Sequence, residues 1–211
     1  MTTTTAPTSS ALDRARELVP VLAEHAAQTE SARRIHPAGL AAVRAAGFFA
    51  LPLPQGFDGA ASAAYVLAPV LGAALGARDA TERLFASGDN RFGSGYDTIA
   101  QSPGAQHLLT EATRLTDDAL ARTLTWCAAI DNGEITTPLP VSQARTAFAA
   151  AVKDALAALE RMLDLHGTRG MASSHPVQRL WRDASVGARH VLLNQFMIEE
   201  EYGKLLAGRS S

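Results

Sequence analysis

Residues 164–195 read DLHGTRGMASSHPVQRLWRDASVGARHVLLNQ, and this stretch decides the fold class. Gly167 is the kind of residue that ends a helix, and Pro176 suits the first position of the next one. From there, apolar residues cover most of the helical circumference to about Ala207, where Gly208 ends the pattern. A helix that is apolar nearly all round is buried. The stretch therefore predicts a long final helix inside a helical bundle.

The predicted final helix carries polar side chains on one face. Arg179, Asp183, His190 and Asn194 follow one another at steps of four, seven and four residues, which places them on one stripe. Burying such groups costs free energy unless they are paired. Two interpretations stay open: a structural arginine–aspartate pair with a hydrogen-bonded histidine, or a site lined by His190 and Asn194. The missing side chain of Gly187 leaves room for a ligand or for a close helix.

The sequence around this stretch also predicts helices. Ser102-Pro103 opens a long helix that Gly133 ends, and Ser142 caps another that runs to His166. Short loops between such long helices make them antiparallel neighbours in a bundle. No stretch alternates apolar and polar residues for long, so the predicted fold class is all-α, an antiparallel helical bundle. Further helices are expected from Ser10, from Pro37 to Gly47 and from Ser62 to Ala77.

The predicted organisation has three parts. We expect residues 1–10 to form a disordered tail, because they are rich in threonine and serine and carry no apolar run. Residues 11–87 form an N-terminal helical part and residues 97–208 a C-terminal bundle of long helices. The intervening segment 88–96 holds three glycines and is the best candidate for a linker. The two helical parts are expected to pack together as one globular unit.

Composition excludes several kinds of protein. The chain has 211 residues and a formal net charge of −2, which argues against a nucleic-acid partner. Cys127 is the only cysteine, so a disulfide framework and a cysteine-built metal site are excluded. The Glu-x-x-His pattern of di-iron bundles is missing, and we expect no metal. The sequence holds no run of about 18 apolar, uncharged residues, so we expect no membrane association and a cytoplasmic location.

Two segments resemble the acyl-CoA dehydrogenase superfamily and are most similar to its group D flavin-dependent monooxygenases. The first segment is Ala15–Asp79, in which ARELVPVLAEHAAQTESARRIHPAGLAAVRAAGFFALPLPQGFDGA resembles the opening helices and the loop that follows them. The second is Ala100–Gly208, in which residues 164–195 resemble the closing motif, with a glycine-rich turn, HPVQRLWRD and a histidine seven residues after the aspartate. Together the two segments cover most of the chain. The resemblance implies a largely structural role for Arg182 and Asp183. It implies that His190 acts at the flavin as a proton-transfer or oxygen-activating residue.

The resemblance also implies a missing domain. The family places a β-barrel between its two helical parts, and the flavin lies against that barrel. Eight strands with their turns need roughly 80–100 residues, whereas only about 22 residues separate Asp79 from Ser102. Arg91-Phe92-Gly93 resembles a remnant of the family segment that begins the second helical part. The chain is therefore expected to be the helical shell of the family without its middle barrel.

These observations support three hypotheses about function. The first is a cofactor-independent biosynthetic enzyme, a cyclase, dehydratase or isomerase, acting on a small hydrophobic metabolite. His190 would be its buried acid–base, and Asn194 or Arg179 would polarise a carbonyl. The second is a flavin-dependent oxidoreductase or monooxygenase that binds FAD or FMN in a pocket completed by a partner subunit. The third is a non-catalytic ligand-binding or assembly module. Because the family assembles through its closing helices, we expect a homodimer or homotetramer.

Overall fold

The computed structural model describes residues 11–48, 59–89 and 95–208. Within these residues the regular elements are all helical and no β-strand occurs, which confirms the predicted all-α class. Short 3-10 turns lie at Ile99–Gln101 and Val191–Leu193. The α-helices are α1 (Ala11–Glu24), α2 (Ala26–Ala32), α3 (Pro37–Ala45), α4 (Ala60–Ala86), α5 (Pro103–Asp131), α6 (Pro138–Gly170), α7 (Pro176–Gly187) and α8 (Gln195–Leu206).

The chain divides into two compact units, Met1–Pro54 and Gln55–Ser211. In the first unit, α1 packs against α2 and α3, and the Nε of Arg14 donates a hydrogen bond to the carbonyl of Ala46 at 2.8 Å. The second unit contains α4 to α8. The sequence placed α4 with the N-terminal helices, whereas in the structure α4 packs against α5, α6 and α7. The packing of the two helical parts into one globular unit stays a prediction.

Helix α6 is the centre of the second unit, because it packs against α4, α5, α7 and α8. Small side chains at the buried contact positions let the helix backbones approach closely. Phe148, Leu159 and Met162 fill the remaining space in the core around α6. The fully buried alanines of α4 and α6 are Ala63, Ala74, Ala77, Ala144, Ala151, Ala155 and Ala158.

Ion pairs join the outer edges of α5 and α6. Arg122 lies 2.6 Å from Asp154, and the Nε of Arg161 donates to a carboxylate oxygen of Glu111 at 2.9 Å. The hydrogen bond from Arg161 holds the pKa of Glu111 below its ordinary value. Each pair is partly exposed, so these contacts fix the register of the two helices more than they stabilise the fold.

Helix α4 corrects the expectation that no segment is apolar enough to cross a membrane. By length and composition alone it could do so, but half of its most apolar window is buried inside the chain. Pro69 lies within α4 on its exposed side and does not delay the start of the helix. These features are typical of the core helix of a bundle.

Several predicted boundaries are confirmed and three need correction, the first of which is the helix expected from Ser62 to Ala77, since α4 runs from Ala60 to Ala86. The hydroxyl of Ser102 accepts the N–H of Ala105, which caps α5, and Gly133 follows the helix with a φ of 71°. Ser142 is not a cap, because Pro138 opens α6 one turn earlier and leaves Ser142 buried inside the helix. Gly167 leaves the helical conformation, with φ 59° and ψ −156°, but helical structure resumes and continues to Gly170.

The predicted final helix is wrong as a single element. Helix α7 ends at Gly187, and α8 begins only at Gln195, after a 3-10 turn. A Cβ at Gly187 would lie 3.2 Å from Cγ2 of Val70, so the missing side chain serves the close approach of α7 to α4. The sequence left two explanations for Gly187, room for a ligand or room for a neighbouring helix, and the structure supports the neighbouring helix.

Candidate functional site

The predicted polar stripe does not form on one helix, because two of its residues, His190 and Asn194, cap separate helical segments. His190 precedes the 3-10 turn, and its Nδ1 accepts the backbone N–H of Leu192 at 3.2 Å. Asn194 precedes α8, and its Oδ1 accepts the backbone N–H of Met197 at 3.2 Å. Side chains that accept backbone N–H groups in this way favour helix starts over helix interiors. His190 and Asn194 thus begin new segments instead of continuing α7.

His190 is exposed in the single chain, which corrects the expectation of a buried histidine. The expectation failed because the surrounding residues are not part of one buried helix. Since its Nδ1 accepts the N–H of Leu192, the neutral ring carries its proton on Nε2. The imidazole therefore has one nitrogen engaged by the backbone and the other able to donate a proton.

Arg179 lies half-buried on α7, away from any hydrogen-bonded cluster with His190 or Asn194. Within the described residues, no side-chain hydrogen bond joins any two of these three. Asp183 accepts a hydrogen bond from Nη2 of its neighbour Arg182 at 3.1 Å, and in the part of the chain that the structure describes no ion pair joins it to Arg179. The arginine–aspartate pair of α7 is formed by the neighbouring residues Arg182 and Asp183, at the surface of the helix.

Asn194 lies in an open groove of about 580 Å³ between α6 and α8, which we call the α6–α8 groove. Lys153 and Arg189 also line it, and neither was singled out from the sequence. Lys153 and Arg189 are more than 30 positions apart in the sequence, so no local sequence pattern connects them. His190 is not among the lining residues, which are Ala149, Val152, Lys153, Leu156, Ala188, Arg189, Leu193, Asn194, Gln195, Phe196 and Glu199.

Large apolar side chains are exposed in the segment around His190, residues 186–197. Val186 is 70% exposed and Phe196 is 79% exposed, and Val191 and Met197 are exposed as well. Large apolar side chains left exposed in this way often mark an interaction site. We call residues 186–197 the exposed segment.

A second histidine site was missed at the junction of α4, α6 and α7. His166 is 3% exposed, and its Nε2 lies 3.2 Å from the hydroxyl of Thr81. That hydroxyl donates to the carbonyl of Ala77 at 2.8 Å, so it accepts from His166. The ring of His175 meets that of His166 edge to face, with 4.8 Å between centroids. The partners lie 85 positions apart, and no local pattern connects them.

The described residues on their own do not fit a bound flavin. An isoalloxazine ring needs a largely enclosed pocket with placed polar groups. His190 and its apolar neighbours are exposed and provide at most one wall of such a pocket. Residues 91–93, which resemble a cofactor-contacting segment, lie outside the described residues. The described residues alone therefore do not enclose a flavin at His190.

Solved structures similar to this chain are flavin enzymes and monooxygenases. XiaF from Streptomyces sp., in complex with FADH2 and glycerol, is 28% identical with a TM-score of 0.66, over 71% of this chain and 38% of XiaF. The 3-HSA hydroxylase from Rhodococcus sp. RHA1 is 24% identical with a TM-score of 0.63, over 73% of this chain and 40% of its own. The HsaA monooxygenase from M. tuberculosis is 22% identical with a TM-score of 0.58, over 82% and 44% respectively. The chain thus spans about two fifths of the length of these structures.

The family of the chain is shown by a protein-family model and not by any single curated relative. A search of curated proteins gives no significant match. The sequence model of the family described as "Acyl-CoA dehydrogenase, C-terminal domain" matches residues 64–195, which is more than half of the chain. These residues run from α4 to the start of α8, and their all-helical structure agrees with that domain. The chain therefore belongs to the acyl-CoA dehydrogenase family, through its helical C-terminal domain.

Proposed function

We propose that this protein is the helical component of a flavin-dependent oxidoreductase or monooxygenase whose active site is completed by a second, barrel-bearing polypeptide. The observation that carries the proposal is the exposed segment, in which the exposed His190 lies in the sequence among large apolar side chains that the described residues leave exposed. XiaF, a relative at 28% identity, binds FADH2 and is more than twice as long as the matched region. The missing wall is expected from a partner of this kind.

The chain contributes a proton-transfer group to such a site. His190 is anchored through Nδ1 by the N–H of Leu192, which fixes the orientation of the ring and leaves Nε2 as the reactive nitrogen. Val191 and Met197 supply apolar surface that excludes water once a partner covers it. FAD or FMN would supply the redox chemistry. The substrate class proposed is a small hydrophobic metabolite.

The cofactor-independent cyclase, dehydratase or isomerase is the second candidate. It requires a water-excluding pocket around His190 within one chain or within a homodimer or homotetramer. The exposure of His190 favours an assembled site over a single-chain site. In this second candidate, further copies of the same chain cover the exposed segment. In the flavin-dependent candidate, a different polypeptide covers it.

The two candidates are separated by a flavin titration. We expect oxidised FMN and FAD to keep their free absorbance spectrum with the purified chain. The spectrum should change when the chain is mixed with a barrel-bearing flavoprotein encoded beside it. Val191→Ser and Phe196→Ser should weaken this assembly, because each exposes a polar group at an apolar contact. Leu124→Ser is the matched control, since Leu124 is exposed on α5 outside the segment.

The role of His190 is tested with two substitutions. Asparagine is also a good cap, so His190→Asn should preserve the 3-10 turn and the assembly but abolish turnover. His190→Ala should lose both the cap and the turnover. Flavin binding by the chain alone, turnover without any flavin, or full turnover in His190→Asn would each refute the proposal.

A further inference from the structure

The α6–α8 groove has an apolar floor. Ala149, Val152 and Leu193 are each at most 6% exposed, and Leu156 is half-buried beside them. The volume of about 580 Å³ lies within the range of small-molecule clefts. Because the core already covers Ala149, Val152 and Leu193, the apolar surface left for a ligand comes from Leu156 and the exposed ring of Phe196.

The rim of the groove carries more positive than negative charge. Lys153 makes no ion pair within the described residues, and the guanidinium of Arg189 bonds only the carbonyl of Ser185 on the preceding helix. Glu199 is the one carboxylate on the rim, and it already accepts a hydrogen bond from Gln195. Two cations without carboxylate partners beside an apolar floor are complementary to an anion with an apolar body.

Two further side chains suit such a ligand. Asn194 uses Oδ1 for its cap, which leaves its amide N–H groups as donors at the groove. Phe196 lines the groove while 79% of it is exposed, so its ring has an unused face that a ligand could cover. The amide donors and the uncovered ring thus place polar and apolar recognition in the same cleft.

From this arrangement we infer that the α6–α8 groove binds a small amphipathic carboxylate. Its apolar chain contacts Leu156 and Phe196 above the buried Val152 and Leu193, and its carboxylate is held by Lys153 and Arg189. His190 does not line this groove, although Asn194 and Phe196 of the exposed segment do. The inference rests on the groove side chains and is tested on the chain without a partner, so it does not depend on the proposed flavin site. Failure of flavin assembly would leave the groove and its charges unchanged.

The test compares decanoate with decan-1-ol, which has the same chain but no charge. Methyl NMR of the full chain should show shifts at Val152, Leu156 and Leu193 on addition of decanoate. Decan-1-ol should bind about tenfold more weakly or worse, because it lacks the charge-assisted hydrogen bonds. Lys153→Met and Arg189→Met should each weaken decanoate about three- to tenfold and leave decan-1-ol unchanged.

Lys204→Met is the matched control, since Lys204 is an exposed cation of α8 outside the groove. It should leave decanoate affinity unchanged. Equal affinities for decanoate and decan-1-ol would overturn the inference, as would shifts confined to methyls outside the groove or no binding at all. The comparison of the two probes uses the unmodified chain, so it decides the matter even if a variant fails to fold.

Discussion

The contact between Gly187 and Val70 gives the sharpest stability prediction. Replacing Gly187 with alanine adds a Cβ that would lie 3.2 Å from Cγ2 of Val70, a residue 1% exposed. The alanine gains up to about 1 kcal/mol of helix propensity, whereas overpacking a buried contact costs about 1–3 kcal/mol. Because Val70 has little room to move, the cost exceeds the gain. We expect Gly187→Ala to lower the free energy of unfolding by about 1 kcal/mol.

Urea denaturation followed by circular dichroism measures this change as a lower midpoint at an unchanged slope. For a chain of this length, 1 kcal/mol corresponds to a fall in Tm of about 2–4 °C. Gly203→Ala is the control, since a Cβ there meets nothing within 4 Å, and it should raise stability. In a Val70→Ala background, Gly187→Ala should become stabilising, because only the propensity gain remains. A Gly187→Ala protein as stable as the parent would refute the close-packing argument.

Three further outcomes follow from single contacts. Thr81→Val removes the hydroxyl that accepts from His166 and should cost about 1–3 kcal/mol in thermal denaturation, since a buried N–H then lacks its acceptor. Gly167→Ala places a side chain at φ 59° and ψ −156° and should cost about 1–3 kcal/mol in the same assay. The hydrogen bond from Arg161 lowers the pKa of Glu111 from 4.5 in the unfolded chain, so this contribution to stability is present above pH 4.5. It is lost as the pH falls through the lower folded pKa, which a pH series of urea midpoints measures.

Each of these predictions has a control in the chain. Thr110 also bonds a carbonyl of its own helix but is exposed, so Thr110→Val should have little effect on stability. Gly72→Ala adds a Cβ in open space without a positive φ, and it should not share the penalty of Gly167→Ala. Glu111→Gln removes the titrating group and should give a shallower fall in stability below pH 4.5 than the parent. An equal fall in both proteins would show that other carboxylates dominate.

The sequence was sufficient where a boundary depends on neighbouring residues. Ser102 before Pro103 marks the start of α5, and the cap hydrogen bond to Ala105 forms as expected. Gly133 adopts a positive φ after the helix, which is the reason glycine is favoured there. The all-α class followed from many such local signals, each of which points to the same structure.

The sequence was insufficient where a polar residue has two possible uses. His190 and Asn194 fit one helical stripe with Arg179, and the same side chains also fit caps of two short segments. The choice between them depends on where α7 meets α4, a contact between Gly187 and Val70 that sequence spacing does not report. Tertiary contact therefore decided the local structure, and it placed Asn194 in a groove and His190 in solvent.

Three histidines in this chain cap helical segments through Nδ1, and a comparison of them separates structural from functional use. His36 and His175 each precede a proline at the first turn of an α-helix, where a cap helps to start a helix of nine or twelve residues. His190 has no proline after it and precedes a turn of three residues, so its cap stabilises little regular structure. A serine or an asparagine at this position could also accept the backbone N–H of Leu192. Within the described residues its Nε2 makes no hydrogen bond, and folding requires little of this position, which supports the proposed contact of the imidazole with a partner or substrate.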